Sequence, residues 1–395
     1  MRTVFATIAT IAALFVAAPA DAAGQQRSPF GELAVYQLQK SLSLQSTYGL
    51  QTLRDRPSTT GSGSIGLNGG YLRVATGTTS GSVADLLSAE FGHYPPGRAA
   101  EIGMGLQVVT APTGDGLVEW GGQTDDNGVY YRYHDANDDG SLQLCFVYER
   151  AGSETSRCSG TEFQIGFDPT AKFIVYVIRF NWYGGGGAMA WAYVPDRNAP
   201  YGLREEHVVT IVPTAGQAME DPNLPIRALA DNGSTTTGIQ VDVGGRRYGL
   251  QGDFNPPNQR SGEQRTNQSI ASGDGYVPVV CIRKENPYPE PGRINTVNAY
   301  LTALDMRSDE NLSYVVSVGG TLTGASFADP AGYDDGDVAV EYDISATSIS
   351  GQTRIAGPYR VDGGQDQKTD LTKVEGRRLP IINGMPTCIL ANPEA

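Results

Sequence analysis

The chain has few basic residues, and this scarcity limits its partners. Its 395 residues include 29 lysines and arginines against 43 aspartates and glutamates, which leaves a net charge of −14 at pH 7. A protein that binds nucleic acid neutralises phosphates with a basic surface. The charge balance therefore argues against nucleic acid as a partner.

Residue arrangements of known enzyme chemistry are also missing. The three histidines, His93, His134 and His207, stand in no recognisable nucleophile or metal arrangement. The chain has no G-x-S-x-G, P-loop or dinucleotide fingerprint, and the glycines at 184–187 lack the lysine and the helix of a phosphate loop. We therefore expect no enzymatic activity and no resident cofactor.

One carboxylate pair makes a glycosidase the alternative. Glu341 and Asp343 are two residues apart on a predicted strand and so share a face. A glycosidase needs two carboxylates that face each other across a groove. Retaining enzymes of concanavalin-like fold present an E-x-D-x-x-E strand, and here the last position is Ala346. The pattern is incomplete, which favours the non-enzymatic interpretation.

Long apolar runs are missing after the N-terminus. Residues 1–23 resemble a secretory signal, with Arg2, an apolar run over 4–18 and the small-x-small site Ala20-Asp21-Ala22, so the mature chain is predicted to begin near Ala23. The run is short and rich in Thr and Ala for a transmembrane span. The alternative is an uncleaved apolar peptide that is buried in an assembly. The signal predicts an extracellular protein.

Cysteine is scarce, and its spacing excludes a zinc site. No two of the four cysteines have close ligand spacing, and no histidine joins them. Cys145 and Cys158 flank a predicted reversal at 150–153, which places them directly opposite each other and predicts a disulfide. Cys281 and Cys388 form a candidate second pair, although nothing local sets their distance. Without export, Cys145 and Cys158 would be ordinary buried thiols.

Abundant glycine, proline and tyrosine indicate many short strands joined by turns. Two β-branched and aromatic arms within 173–194 flank four glycines, which predicts a central hairpin. About ten strands precede Pro213, and these fit two packed sheets, either a jelly roll or a concanavalin-like β-sandwich. A short helix is predicted over Ser82–Glu90, with Ser82 as its cap. We predict an all-β chain with a second, smaller β-sandwich domain.

The composition divides the chain into five segments. They are a signal peptide at 1–23, an arm and linker at 24–64, a β-sandwich domain at 65–235, a second β-rich domain at 236–361 and a polar, mobile C-terminal tail at 362–395.

One acidic loop matches the first half of a calcium-binding loop. Asp135, Asn137 and Asp139 with Gly140 follow the pattern D-x-N-x-D-G. The twelfth position is Phe146, where an EF-hand needs a bidentate glutamate. The alternative is a turn between strands that uses Asn, Asp and Gly for its local geometry. Ca²⁺ is the one metal ion that this loop suggests.

Three tyrosines on one predicted strand suggest carbohydrate binding. Tyr131 and Tyr133 share a face, and Tyr130 lies on the other. Exposed rings stack on the apolar faces of sugars, which makes Tyr131 and Tyr133 ligand-stacking candidates. The alternative is that this face belongs to the core.

Several stretches together resemble a family of β-rich virion structural proteins of tailed phages and large DNA viruses. They follow one order between Ser28 and Arg360, and they are Ser28–Glu32, Tyr94–Arg98, Phe167–Thr170, Pro222–Ile226, Asn232–Thr235, Thr321–Phe327 and Val340–Asp343. The signal-like N-terminus departs from the family's usual start.

This resemblance implies a non-enzymatic component of the virion surface. Such a protein would contact other virion proteins and its own copies in a homo-oligomer, and it would contribute to host attachment, with a host-surface glycan as one partner. The alternative is a secreted carbohydrate-binding or carbohydrate-degrading protein of concanavalin-like fold. The resemblance supplies no catalytic residues.

Overall fold

The computed structural model describes residues 38–393 apart from a few short gaps. The gaps are 136, 138, 161, 164–166, 183–185, 200–201, 214–218, 252–259, 272, 290, 335 and 376–377. The predicted signal peptide, its cleavage site and the Ser28–Glu32 stretch lie outside the described residues.

Among the described residues, fifteen strands build the first domain, which is larger than the second. In chain order they are β1 (Leu38–Leu44), β2 (Asp55–Thr60), β3 (Ser64–Asn68), β4 (Tyr71–Ala75), β5 (Val83–Ser88), β6 (Ala99–Thr110), β7 (Leu117–Gln123), β8 (Asn127–Asp135), β9 (Leu142–Arg150), β10 (Ser153–Cys158), β11 (Ile174–Asn181), β12 (Ala188–Pro195), β13 (Leu203–Ile211), β14 (Ile226–Asp231) and β15 (Gln240–Gln251).

These strands form two antiparallel sheets. The eight-stranded sheet has the order β13-β12-β11-β6-β15-β4-β3, with β1 also paired to β15. The seven-stranded sheet has the order β10-β9-β8-β7-β14-β5-β2. Fifteen strands exceed the eight of a jelly roll. The predicted all-β sandwich is therefore confirmed, and of its two types the concanavalin-like one fits.

The core lies between the two sheets because side chains along a strand alternate between an inward, buried face and an outward face. β11 and β12 pair as the predicted hairpin, and the alanines of β12 point inward while Met189, Trp191 and Tyr193 point outward. At the centre, the Trp120 ring packs against Tyr176 with centroids 4.9 Å apart.

The helix predicted over Ser82–Glu90 is wrong, because β5 occupies this stretch. Ala84, Leu86 and Ser88 are buried, and the residues between them are half-buried, which is a period of two. β5 pairs with both β2 and β14. The alternation of the side chains and the pairing on both edges therefore override the helix-cap signal at Ser82.

The described part of the second domain has eleven strands, one short helix and its own core. The elements are β16 (Val277–Lys284), β17 (Ala299–Leu301), β18 (Ala303–Ser308), β19 (Leu312–Val318), β20 (Thr321–Thr323), β21 (Val340–Asp343), β22 (Ser348–Ser350), β23 (Thr353–Val361), β24 (Gln365–Asp370), α1 (Leu371–Val374), β25 (Leu379–Ile381) and β26 (Thr387–Pro393). Five of the strands form a sheet in the order β21-β16-β26-β19-β23, and the others pair in twos.

Two segment boundaries differ from the sequence prediction. β15 falls in the stretch 236–361 that was predicted as the second domain, but it lies inside the eight-stranded sheet of the first domain, between β6 and β4. The segment 362–395, predicted as a mobile tail, supplies β24, α1, β25 and β26, and β26 is the central strand of the five-stranded sheet. Both strands pair with partners far away in the sequence, and local composition does not report such pairings.

The two domains meet around Phe91. The Asn298 side chain donates to the Phe91 carbonyl at 2.7 Å and accepts from its amide at 3.2 Å. The Lys284 ammonium lies 5.4 Å from the centre of the Phe91 ring. Burial lowers the pKa of Lys284 to about 8.

No helix among the described residues is long and apolar enough to span a membrane.

Candidate functional site

The candidate site lies on the outer face of β8, β9 and β10, at one edge of the seven-stranded sheet. A two-residue turn joins β9 to β10, and both of its residues have positive φ, 46° at Ala151 and 73° at Gly152. This turn geometry matches the twist of the flanking strands and fixes their register. Cys145 therefore lies directly opposite Cys158.

The outward side chains of these strands line a groove of about 530 Å³. This volume falls in the range of small-molecule sites, about 300–1,000 Å³. Its polar lining includes Arg132, His134, Asn137, Gln143, Ser156 and Glu162, and Cys145 and Cys158 also line it. We call this surface the β8–β10 groove.

The charged groups of the β8–β10 groove are paired within the chain. Arg132 donates to both carboxylate oxygens of Glu154, at 2.7 Å each, and to Glu119 at 2.6 Å. These hydrogen bonds from Arg132 hold the pKa of Glu154 below its usual range. At the rim, Arg157 donates to Glu162 at 2.9 Å.

Several uncharged groups of the groove are available for a ligand. Among the described residues, the side chains of Asn137, Gln143 and Ser156 have no hydrogen-bond partner. An amide offers both donors and an acceptor, and a hydroxyl offers one donor and two acceptor positions. These three side chains can therefore bind a ligand without breaking an existing hydrogen bond.

Tyr130 connects two glutamates beside the groove. Its hydroxyl oxygen lies 3.1 Å from Glu149 and 3.1 Å from Glu154, and it accepts a hydrogen bond from Arg132 at 3.1 Å. A phenol has one hydrogen to donate, so it cannot fully serve two ionised carboxylates. Burial raises the pKa of Glu149. Glu149 is thus the member of this cluster that takes up a proton first as the pH falls.

The tyrosines predicted to stack on a ligand lie on the opposite face of β8, toward the core. Tyr131 is fully buried, its ring centroid is 5.7 Å from that of Trp120, and its hydroxyl donates to the Trp191 carbonyl at 2.9 Å. Tyr133 is partly buried and packs against the same core. The buried ring of Tyr131 leaves no face for a sugar, so its assignment as a stacking residue is wrong and the core alternative holds.

The acidic loop after β8 closes a turn. Asp135 accepts from the amides of Gly140 at 2.6 Å and Asp139 at 3.2 Å, and Asp139 accepts from the Ser141 amide at 2.8 Å. These carboxylates accept hydrogen bonds from the backbone, as the turn alternative predicts. In the described part of the chain, no group of three or more acidic, histidine or cysteine side chains could hold a metal ion.

Both predicted disulfides are present. The Cys145–Cys158 bond joins adjacent strands at the edge of the first domain, and the predicted pairing is confirmed. Cys281–Cys388 joins β16 to β26. The pairing of these two strands places the cysteines opposite each other, which no local feature of the sequence indicated.

Glu341 and Asp343 are both bound by groups within the chain. Glu341 accepts from Arg283 at 2.6 Å. Asp343 is buried and accepts from the amides of Ser326 at 2.8 Å and Ala346 at 3.1 Å, so it holds a loop in place.

The sequence analysis did not identify the residues of the β8–β10 groove. Alternation along β8 defines two faces of the strand but does not say which face is exposed to solvent.

Comparison with protein-family models finds no match, and comparison with curated protein sequences finds none either. Solved structures with a similar fold include lectin domains. The legume lectin-like domain from Entamoeba histolytica is 12% identical at a TM-score of 0.36, and the match covers 52% of this chain and 95% of that one. The exoplasmic/lumenal domain of VIP36, bound to Ca²⁺ and Man3GlcNAc, is 13% identical at a TM-score of 0.38, covering 55% and 93%.

Lectin II from Ulex europaeus is 10% identical at a TM-score of 0.36, and the match covers 54% of this chain and 99% of that one. At these scores the likenesses carry no argument about ligand or site. None of these comparisons tests the resemblance to virion proteins, which stays a prediction.

Proposed function

We propose that the chain binds a neutral, polyhydroxylated ligand, a glycan, in the β8–β10 groove. One observation carries the proposal. The charges that line the groove are neutralised by partners within the chain, while the side chains of Asn137, Gln143 and Ser156 keep unused donors and acceptors.

This arrangement favours an uncharged ligand over an ion. An anion would have to displace Glu154 from Arg132, and a cation would have to displace Arg157 from Glu162. Either exchange breaks a charge-assisted hydrogen bond, which is stronger than a neutral one. A sugar hydroxyl both donates and accepts, as amides and serine hydroxyls do, so it can pair with all three of the unused side chains.

We propose binding without chemistry at this site. A glycosidase needs one protonated acid and one carboxylate across the groove. The two carboxylates that line it are each bound by an arginine, and Arg132 holds the pKa of Glu154 low, which suits neither a general acid nor a base poised near neutral pH.

We place this binding outside the cell, since two disulfides persist best in an oxidising compartment. Display on a virion surface, contact with other virion proteins and homo-oligomer formation are further proposals that rest on the sequence resemblance alone. Many copies on one particle would strengthen weak glycan binding through avidity. Whether the chain is present in purified virions tests the proposed virion display, and this test is independent of glycan binding in the groove.

The test of the groove is a glycan screen followed by calorimetry on the hits. Gln143→Ala removes an unused amide and should weaken binding by about five- to tenfold, the worth of one hydrogen bond. Gln367→Ala, at an exposed position of β24, is the matched control and should leave affinity unchanged. The absence of any glycan hit, or equal affinities for wild type and Gln143→Ala, would reject the groove. Release of reducing sugar would overturn the non-enzymatic proposal.

A further inference from the structure

The two disulfides differ in their access to solvent. Cys281 and Cys388 are both fully buried and pack with Val315 and Leu390, under Leu322, Phe327 and Ile349. Cys145 is 1% exposed, but Cys158 is partly exposed and lines the β8–β10 groove. A thiol in solution can therefore approach the Cys158 sulfur, while the second disulfide is enclosed by the core.

The strand that carries Cys158 lies at an edge. β10 ends the seven-stranded sheet, where it is paired to β9. Most of its side chains are exposed, so little apolar packing holds it in place. The disulfide is the covalent link between the end of this strand and β9, and edge elements with few buried contacts open most readily.

A histidine lies beside the buried sulfur. The His134 Nε2 atom is 3.7 Å from the Cys145 Sγ atom. In thiol–disulfide exchange the rate rises when the departing sulfur is stabilised as a thiolate. An imidazole N–H in this position can donate to a thiolate that leaves on Cys145.

We propose that Cys145–Cys158 is a thiol-exchange site, open to low-molecular-weight thiols such as glutathione through the β8–β10 groove. The thiolate attacks the Cys158 sulfur, the disulfide bond breaks, and its electron pair goes to the Cys145 sulfur beside His134. Cys158 then carries a mixed disulfide with the attacking thiol. A second thiolate attacks the sulfur of the bound thiol, which releases the oxidised thiol dimer and leaves Cys145 and Cys158 reduced.

Exchange has a consequence for the groove, and this step rests on the proposed function. Glu154, Ser156 and Cys158 all belong to β10 and line one wall. Reduction removes the link that fixes the end of this wall to β9, so the wall loosens and the ligand site loses its shape. Glycan binding is expected to weaken on reduction.

The first experiment needs no ligand. The folded, full-length protein is incubated with reduced glutathione, quenched by alkylation and digested, and mass spectrometry locates both alkylated and glutathionylated cysteines. Adducts should appear on Cys158, with Cys145–Cys158 opening at least about tenfold faster than Cys281–Cys388, since exchange follows the accessibility of the sulfur. Equal rates, an adduct on Cys145 instead, or a disulfide that resists until the protein unfolds would overturn the proposal.

Two variants sharpen the test. His134→Asn should slow exchange at Cys145–Cys158 severalfold and leave the rate at Cys281–Cys388 unchanged, and an unchanged rate at both would remove His134 from the step. The double variant Cys145→Ser/Cys158→Ser should show faster amide hydrogen exchange in β10 with β16 and β26 unaffected; unchanged exchange in β10 would reject the release of the strand. If glutathione adducts form on a protein that binds no glycan, the thiol-exchange site is supported and the proposed glycan binding is rejected.

Discussion

Glu149 and Glu154 lie directly opposite each other on β9 and β10, yet their environments shift their pKa values in opposite directions. Burial raises the pKa of Glu149, and the hydrogen bonds from Arg132 lower that of Glu154. Both carboxylates contact the hydroxyl of Tyr130. The two glutamates therefore allow the effects of a buried carboxylate and of an arginine-bound carboxylate on folding stability to be compared at one sheet edge.

Glu149→Gln and Glu154→Gln should change stability at neutral pH in opposite directions. Removing the charge of Glu149 removes both the desolvation cost of a buried carboxylate and its repulsion by Glu154. This variant should therefore be more stable than wild type. Removing the charge of Glu154 breaks its paired contact with Arg132, so this variant should be less stable. Each change should be about 0.5–1 kcal/mol because the groove edge is partly solvated. Denaturant unfolding measures both, with Glu310→Gln as an exposed control.

The pH dependence of these two differences follows from linkage. For Glu149, whose pKa is raised on folding, the penalty exists at neutral pH and disappears as the pH falls below the ordinary glutamate value of about 4.3. For Glu154, whose pKa is lowered on folding, the stabilisation exists above about 4.3 and is lost as the pH falls through its lower folded value. Both variants should therefore approach wild-type stability in acid. A difference that grows on acidification would contradict this assignment.

Tyr131→Phe tests the reassignment of Tyr131 to the core. The change removes the hydrogen bond to the Trp191 carbonyl between the two sheets and should cost about 1 kcal/mol of unfolding free energy. Glycan affinity should stay unchanged, since the hydroxyl lies on the far side of the sheet from the groove. Loss of affinity at unchanged stability would restore Tyr131 as a ligand residue.

Local patterns along the sequence were enough to predict the sandwich but not its boundaries. β-Branched and aromatic residues around four glycines in 173–194 predicted the hairpin of β11 and β12, because such residues suit strands and glycines suit a tight reversal. Buried and half-buried positions alternate through 83–88, where a cap-like Ser82 misled the helix prediction. β15 and β26 were misplaced because their partners are distant in the sequence, and pairing over such distances leaves no local mark.

The site was harder to predict than the fold for a related physical reason. The hairpin register placed Cys145 opposite Cys158 because a tight turn determines which residues pair. No local rule decides which face of β8 packs inward, so Tyr131 was selected and Arg132 was overlooked. Gln143 and Ser156 join the groove only through the pairing of three strands, and neither belongs to a sequence motif.

Removing the Cys281–Cys388 disulfide should cost more stability than removing Cys145–Cys158. The two bonds span 107 and 13 residues of sequence. By the chain-entropy argument, a short loop contributes about 3 kcal/mol and a loop of this greater length about 5 kcal/mol. Alanine at Cys281 and Cys388 also leaves a cavity between packed strands, whereas Cys158 borders the groove.

The measurement compares Cys281→Ala/Cys388→Ala with Cys145→Ala/Cys158→Ala by thermal unfolding, with hydrogen exchange to assign each transition to its domain. The first variant should lower the transition of the second domain strongly, and the second should lower that of the first domain less. A larger loss from Cys145→Ala/Cys158→Ala would mean that the edge disulfide supports the whole sandwich. The proposed thiol exchange would then unfold the domain instead of releasing β10 alone, so this comparison also sets the scale on which the exchange site acts.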